Sequence, residues 1–332
     1  MPATITQQTI KTDDLKAIDW LDNDIVDWVS GGQLYPMDGQ QSRIAKWHYP
    51  FSFDASITSL DGQYAFIYKR LGTKGILLKN GEMLREINRT YYCAEAYEFP
   101  AAFLTFNQRT YLIHCPIDYC RLDFEDVETG EIITDIPGRD PSDVFHSRLS
   151  ISPDNRYLMV CGWVWHPLSC VELFNISECF SNPLLLDQSS ISPKYGTEIN
   201  SATFIDNERI LIAASDEEPF DDENEPILPQ KNLAVWSFKT NELTAPVKVK
   251  GEFGNLFAID EKRAWDTFKY PKIINIQTGD IECELDHINS GEQLSSMFYG
   301  NIEKYPQISF NRKSAAIAIK ISSTELKVFT YK

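Results

Sequence analysis

The chain has 332 residues, with 48 acidic and 31 basic side chains and a formal net charge of −17. A field of this sign repels a polyphosphate backbone, which argues against nucleic acid as a general partner. Hydrophobic residues make up 43% and aromatic residues 12% of the chain, which is enough to fill a core and favours pleated strands. No run approaches the roughly 20 apolar residues of a membrane-spanning helix, so we expect no membrane partner.

The first residues, MPATITQQTIKTDDLK, contain no apolar segment after a basic region, as a secretory signal would. The seven cysteines are odd in number and scattered along the chain, which does not resemble a disulfide framework. Both features favour a cytoplasmic protein.

A unit of roughly 50 residues repeats along the chain: an apolar strand, a turn with Asp or Asn, a second strand, a third strand and a turn with Gly or Asn. The first turns of the units are, in chain order, Leu21-Asp22-Asn23, Leu60-Asp61-Gly62, Phe106-Asn107-Gln108, Pro153-Asp154-Asn155, Ile205-Asp206-Asn207, Ile259-Asp260-Glu261 and Phe310-Asn311-Arg312. The later turns fall at Asn80-Gly81, Thr129-Gly130, Thr240-Asn241 and Thr278-Gly279. Each unit therefore reads as one four-stranded blade.

The clearest unit runs from Arg148 to Asp187. RLSISPDNRYLMVCGW predicts two strands and their turn, SCVELFNI a third strand, and NPLLLD a fourth.

Ring closure decides the number of blades. The last unit supplies only three strands, around Ile308 to Phe310, Ala315 to Lys320 and Leu326 to Tyr331, and a strand from Thr4 to Ile10 could complete it. Pairing the two chain ends would remove an exposed sheet edge. If Ile25 to Val29 is the closing strand instead, there are six blades. We predict an all-β fold, a single β-propeller domain over residues 1–332 with seven four-stranded blades and six as the alternative.

Two motifs resemble those of WD40-type propellers: Ser150-Ile151-Ser152-Pro153-Asp154-Asn155 in a first strand and turn, and Leu233-Ala234-Val235-Trp236-Ser237 in a third strand. No Gly-His pair opens a blade, and the Trp265-Asp266 pair lies elsewhere in its unit, so the family's hydrogen-bonded tetrad is not carried over. The resemblance implies a divergent WD40-like propeller.

An acidic run lies between the second and third strands of its unit. The resemblance places this connection on the face that such propellers most use for partners. Two interpretations fit: contact with a basic protein surface, or a solvated insertion that binds nothing. The candidate contact residues here are Asp216, Glu217, Glu218, Phe220, Asp221, Asp222, Glu223 and Glu225.

Trp163, Trp165 and His166 form the second candidate contact. Alternation along a strand puts both indoles on one side, running into the corresponding connection of another unit. They could anchor a partner, since indole buries much area at little entropic cost, or they could pack between blades.

Catalytic and metal motifs are missing from the sequence. The nearest approach to a metal cluster is His114 with Cys115 and Cys120, which lacks a fourth ligand. There is no Gly-x-Ser-x-Gly elbow and no Gly-rich phosphate loop. We therefore predict no catalytic residue, metal or cofactor, although carboxylates from distant blades could still meet in the central channel.

The segment from His287 to Tyr305 is the longest connection between units. Its apolar residues Leu294, Met297 and Phe298 suit one short helix, which we expect to cap an end of the barrel or to dock a partner.

These observations favour a non-enzymatic platform that binds another protein through loops of one face, which is an analogy from fold. The alternative is a propeller hydrolase or lyase with a metal or carboxylate site in the channel. A subunit of a larger obligate assembly also fits and would show a large apolar surface.

Overall fold

The computed structural model describes residues 4–38, 40–46, 48–165, 168–188, 191–194, 196–216 and 225–332. These residues form seven antiparallel sheets that follow one another along the chain as the blades of a propeller. No helix in the described ranges is long and apolar enough to cross a membrane.

Strand β1 (Ile5–Lys11) belongs to the last blade, and the first two blades follow it. Blade 1 contains β2 (Asp19–Leu21), β3 (Asp24–Asp27), β4 (Gln33–Tyr35) and β5 (Ser42–Arg43); blade 2 contains β6 (Ala55–Thr58), β7 (Tyr64–Tyr68), β8 (Lys74–Lys79) and β9 (Glu82–Asn88).

The three middle blades depart from four simple strands. Blade 3 contains β10 (Ala101–Phe106), β11 (Arg109–His114) and β12 (Asp123–Asp126). Blade 4 contains β13 (Val144–Phe145), β14 (Ser150–Ile151), β15 (Tyr157–Val164) and β16 (Leu168–Asn175), and is followed by helices α1 (Ile176–Ser181) and α2 (Leu185–Gln188). Blade 5 contains β17 (Ile199–Phe204), β18 (Arg209–Ala214), β19 (Asn232–Ser237), β20 (Glu242–Leu243) and β21 (Val247–Lys248). In blade 4, β13 and β14 together form the inner position beside β15.

The last two blades are regular. Blade 6 contains β22 (Leu256–Ala258), β23 (Arg263–Asp266), β24 (Lys272–Asn275) and β25 (Ile281–Glu284); blade 7 contains β26 (Ile308–Asn311), β27 (Ala316–Ser322), β28 (Glu325–Tyr331) and β1.

The prediction that NPLLLD forms a fourth strand is wrong. The chain leaves β16 through Asn175, whose side chain accepts from the backbone N–H groups of Ser177 and Glu178 and so starts α1. Helix α2 then contains the second half of the predicted strand, and a single bridge between Leu173 and Ile191 is all that pairs with the outer edge of β16 in the described residues.

The ring closes by pairing of the chain ends, as predicted. Strand β1 pairs with β28 from Ile5 opposite Tyr331 to Lys11 opposite Glu325. Strand β3, which the six-blade alternative needed as the closing strand, is the second strand of blade 1. The propeller therefore has seven blades.

The repeated Asp and Asn residues lie in the turns between the first and second strands, as predicted. At Asp61, Asp206, Asp260 and Asn311 the side-chain oxygen accepts from the backbone N–H two residues later, at 3.1, 2.8, 2.7 and 2.9 Å respectively. An Asx turn of this kind needs a short side chain with an acceptor oxygen, which explains why the residue type recurs.

The core is divided among the interfaces between neighbouring blades. Between blades 4 and 5, for example, Met159 and Leu173 pack against Ile212 and Trp236. The faces of each sheet are thus buried by the next sheet around the ring, which leaves the inner strands to line a central channel.

Candidate functional site

The two faces of the propeller carry different kinds of loop. The upper face, as we name it, holds the connections between blades and those between the second and third strands. The lower face holds the turns with Asp and Asn. Because every inner strand runs from the upper to the lower face, the connection after Trp165 and the acidic run share the upper face.

The structure brings Trp163 and Trp165 together but gives them different roles. Trp163 is only 2% exposed, and its ring stacks on Phe145 with centroids 3.7 Å apart and an interplanar angle of 3°. Trp165 follows β15, lies edge-on to Trp163 at 5.7 Å and is 43% exposed. Trp163 therefore packs within the fold, whereas Trp165 reaches the surface.

Exposed tyrosines extend the surface around Trp165. Tyr92, 47% exposed, lies 4.7 Å from the ring of Tyr119 and 6.1 Å from that of Trp165. Its chain neighbour Tyr91 is 82% exposed. We call Tyr91, Tyr92, Tyr119 and Trp165 the aromatic patch.

Acidic side chains surround the aromatic patch. The Tyr119 hydroxyl donates to Asp143 at 2.6 Å, and this bond is the main reason that the pKa of Tyr119 is raised. Glu95 and Asp118 are also exposed in the two connections that carry the tyrosines. The rim of the patch is therefore negative, in keeping with the net charge of −17.

Only the two ends of the acidic run are described. Asp216 and Glu225 are both exposed, and Asp216 pairs with Lys231 at 3.6 Å. The other predicted contact residues, Glu217, Glu218, Phe220, Asp221, Asp222, Glu223 and His166, lie outside the described residues.

Residues 287–305, which we call the strap, contain no α-helix, so the predicted short helix is wrong. The strap contains only a 3-10 turn, Ile302–Lys304. Gly291 and Gly300 have φ values of 88° and 77°, and outside the 3-10 turn the backbone of the strap pairs with other segments. Met297 forms a bridge with Tyr97, and the Phe298 N–H donates to Ala96 at 2.8 Å.

These contacts carry the strap across the upper mouth of the central channel. The Arg70 guanidinium donates to the Tyr305 carbonyl at 2.6 Å and lies 5.2 Å from the ring centroid of Phe298. Arg148, from blade 4, donates to the Ser295 carbonyl. The expectation that this segment caps one end of the barrel agrees with these contacts.

Beneath the strap, the channel forms a cavity of about 980 Å³ lined by the inner strands of all blades. Two carboxyl groups there have unusual pKa values. Burial raises the pKa of Asp19 to about 6, although the hydroxyls of Thr58 and Ser309 donate to it. Burial also raises the pKa of Glu98, against the opposing effect of Arg70 and Arg148.

The described residues contain no group of three or more His, Cys, Asp or Glu side chains that could hold a metal. In the cluster of His114, Cys115 and Cys120, the His114 ring is 2.9 Å from Glu125 and Cys115 is buried. Burial raises the pKa of Cys115 and of Cys120, so both thiols are poor metal ligands.

Sequence reasoning missed the tyrosines of the aromatic patch and the arginines of the channel. The Tyr91-Tyr92 pair in a connection on the upper face was the available signal. Arg70, Arg148 and Arg312 occupy different places in their units, so no repeat pattern selects them.

No protein-family model and no curated protein matches the chain. Among solved structures, the chain is similar to a streptogramin B lyase, with a TM-score of 0.55, 10% sequence identity, and coverage of 99% of this chain and 98% of that chain. At this identity the likeness shows the fold alone. The chain is a seven-bladed β-propeller. The comparisons do not match it to a WD40-type family.

Proposed function

We propose that this protein is a non-enzymatic platform that binds another protein through the aromatic patch on its upper face. The observation that supports the proposal is the exposure of Tyr92 and Trp165, whose ring centroids lie 6.1 Å apart, with the exposed Tyr91 next in the chain. Monomeric soluble proteins rarely expose contiguous apolar surface unless it serves binding. Tyrosine and tryptophan also dominate the energetics of protein interfaces.

The surroundings of the patch favour a partner segment with an apolar anchor flanked by Lys or Arg. The apolar anchor would pack on Tyr92 and Trp165. The basic groups would meet Glu95, Asp118 and the acidic run on the same face, or would lie over the aromatic rings. A divergent WD40-like relationship is part of the same proposal and is supported by the sequence motifs alone.

Affinity purification with quantitative mass spectrometry tests the proposal in cells that express the tagged protein natively. The test variant is Tyr92→Ala with Trp165→Ala. The matched control is Leu60→Ala, which removes a side chain that is 91% exposed on the lower face. We expect a stoichiometric partner with the wild-type and control proteins and at least tenfold less of it with the double variant.

A partner captured equally by all three proteins would show that the patch is not the contact. In that case, a variant with residues 216–225 replaced by a Gly-Ser loop would test the acidic run. Absence of any stoichiometric partner would overturn the platform proposal.

A hydrolase or lyase is the second candidate, favoured by the raised pKa values of Asp19 and Glu98 within one cavity. A panel of ester, lactone and glycoside substrates would test it. Turnover that is lost in both Asp19→Asn and Glu98→Gln would support an enzyme, whereas turnover unaffected by both substitutions would exclude these carboxyl groups as its acid and base.

A further inference from the structure

The central channel contains three arginines that no carboxylate contacts directly in the part of the chain that the structure describes, although the chain as a whole carries a charge of −17. Arg70, Arg148 and Arg312 all line the cavity. None of them forms an ion pair in the described residues; their hydrogen bonds go mainly to the carbonyl groups of Tyr305, Asn200, Ser295 and Ile151. A carbonyl satisfies a guanidinium hydrogen but leaves its charge unbalanced.

The acidic groups of the channel do not supply this balance. Asp54 pairs with Lys69 at 2.5 Å, and Asp22 pairs with Lys313 at 2.6 Å. Asp19 accepts from the hydroxyl groups of Thr58 and Ser309 and contacts no arginine directly in the described residues. Glu98, which accepts from the Tyr68 hydroxyl at 3.4 Å, is the acid on which the charges of Arg70 and Arg148 act. One carboxyl group therefore faces two guanidinium groups at the upper end of the channel.

Two of the arginines that line the cavity keep a buried donor that no group in the described residues accepts. Arg70 is buried, and its Nε has no hydrogen-bond partner; the Nε of Arg148 also has none. Burial lowers the pKa of Arg148, which reflects the free energy needed to hold an unpaired charge there. Unpartnered buried donors of this kind are uncommon, and an ordered water or a bound anion that reaches them would satisfy them.

The backbone at Arg148 is also unusual. It lies between β13 and β14, where the inner strand of blade 4 is interrupted, and has a φ of 43°. A residue with a Cβ adopts this conformation at an energetic cost, and such positions occur preferentially at functional sites. The interruption turns the Arg148 side chain toward the upper part of the channel.

The third guanidinium lies lower in the channel. Arg312 extends from blade 7 across to blade 4, where it donates to the Ile151 carbonyl at 3.1 Å. Its guanidinium lies 5.5 Å from the ring centroid of Phe204. Apolar side chains line the remaining wall, including Phe103, Leu149, Phe257 and Phe310.

We propose that the channel binds a small organic anion, with a carboxylate, sulfate or phosphate group held by the channel arginines and an apolar body against the aromatic wall. Guanidinium groups suit such anions because they offer two parallel donors. The strap closes the upper mouth, so the ligand enters from the lower face. This site is separate from the aromatic patch, and neither proposal depends on the other.

Isothermal titration calorimetry of the full chain with phenyl phosphate tests the site, with phenol as the uncharged comparison. We expect one phenyl phosphate per chain, bound at least tenfold more tightly than phenol. The variant Arg312→Met keeps the length of the side chain, removes its charge and touches no strap residue. It should bind phenyl phosphate at least tenfold more weakly. Arg43→Met is the matched control, since Arg43 is exposed in the outer strand of blade 1, and it should bind like the wild type.

The variant Arg148→Gly tests the second guanidinium. Glycine accepts a φ of 43° without strain, but the variant also loses the hydrogen bonds to the Asn200 and Ser295 carbonyls, so we expect weaker binding of phenyl phosphate together with a lower melting temperature. Equal binding by the wild type and Arg312→Met, equal binding of phenol and phenyl phosphate, or no binding at all would overturn the proposal. Loss of binding in Trp165→Ala with retention in Arg312→Met would move the site to the aromatic patch and likewise overturn it.

Discussion

Asp19 lies where three blades meet at the channel wall. It belongs to β2 of blade 1 and accepts from Thr58 of blade 2 at 2.6 Å and from Ser309 of blade 7 at 3.2 Å. Trp28 donates to the same Thr58 hydroxyl at 2.9 Å. The carboxyl group is thus part of the inner joint between blades, and its ionisation affects the fold as well as the channel.

The pKa of about 6 for Asp19 predicts how this residue changes stability with pH. A carboxyl whose pKa is raised on folding stabilises the fold below its unfolded pKa, and this contribution is lost as the pH rises through the folded value. For a shift from 3.8 to about 6, the contribution falls by about 1.5 kcal/mol between pH 5 and pH 7.5. Between pH 5 and pH 7.5, the free energy of unfolding of Asp19→Asn should therefore fall by about 1.5 kcal/mol less than that of the wild type.

Urea unfolding of the wild type and Asp19→Asn at both pH values gives the two changes in the free energy of unfolding. Subtracting one change from the other cancels the titration of groups that the two proteins share. Asp286→Asn is a suitable control because the Asp286 side chain is 80% exposed. Parallel pH dependence in the wild type and Asp19→Asn would show that burial does not perturb this carboxyl group.

At the scale of the element, the interrupted inner strand of blade 4 depends on a glycine. Gly162 lies in β15 beside β13, and a Cβ at this position would come within 2.4 Å of the Phe145 carbonyl oxygen. Strand β13 can therefore approach closely enough for Phe145 to stack on Trp163. The base of the aromatic patch rests on this contact.

Gly162→Ala should therefore destabilise the protein by about 1–3 kcal/mol, because backbone must move to relieve the overlap. The matched control is Gly251→Ala, whose Cβ would meet only the flexible end of Ile281 and should cost less than about 1 kcal/mol. Denaturant unfolding gives both values, and near-ultraviolet circular dichroism reports the altered packing of Trp163. Equal effects of the two substitutions would contradict this account of blade 4.

The sequence predicts the elements whose stability is local. Asx turns at Asp61, Asp206 and Asp260 require a particular residue type at a particular place, so they mark each blade. Residues 182–187 also fit a strand pattern, but the chain turns into α2 at Leu185, and Leu186 is buried in the cluster that contains Phe124. Short apolar runs do not distinguish the two structures without their tertiary surroundings.

The candidate sites were predictable only in part. Alternation placed Trp163 and Trp165 on one side correctly, yet which indole is buried depends on Phe145 from another strand. The channel arginines come from three blades and meet through ring geometry, which residue spacing does not encode. The strap is bound to distant segments such as Ala96, and its own sequence suggested a helix.

At the scale of the whole molecule, charge is distributed unevenly. Most of the described acidic side chains face solvent, and the net charge of −17 would favour the basic partner that we propose. The unpaired guanidinium groups lie inside the ring. Rigid blades hold both environments in place, so an outer protein contact and an inner small-molecule site can exist in one fold.

The ring is closed by backbone hydrogen bonds between β1 and β28. Thr4 and Thr12 donate to the carbonyls of Lys332 and Thr324 at 3.1 Å each. In an antiparallel pair, the backbone N–H groups of successive residues point in opposite directions. The backbone N–H of Gln8 therefore also donates to β28, whereas that of Thr9 points away from it. Ile10 packs in the cluster with Leu326 and Val328, which joins blade 7 to blade 1.

Gln8→Pro should therefore destabilise the protein by about 2–3 kcal/mol and promote aggregation through the opened edge of β28. Gln8→Ala separates out the side-chain bond to the Met37 carbonyl and should cost about 1 kcal/mol. Thr9→Pro should cost less, because an outward N–H on an edge strand has no bond to lose. Unfolding in urea and light scattering measure both effects. Equal destabilisation by the two proline substitutions would mean that the register of β1 against β28 differs from the one described.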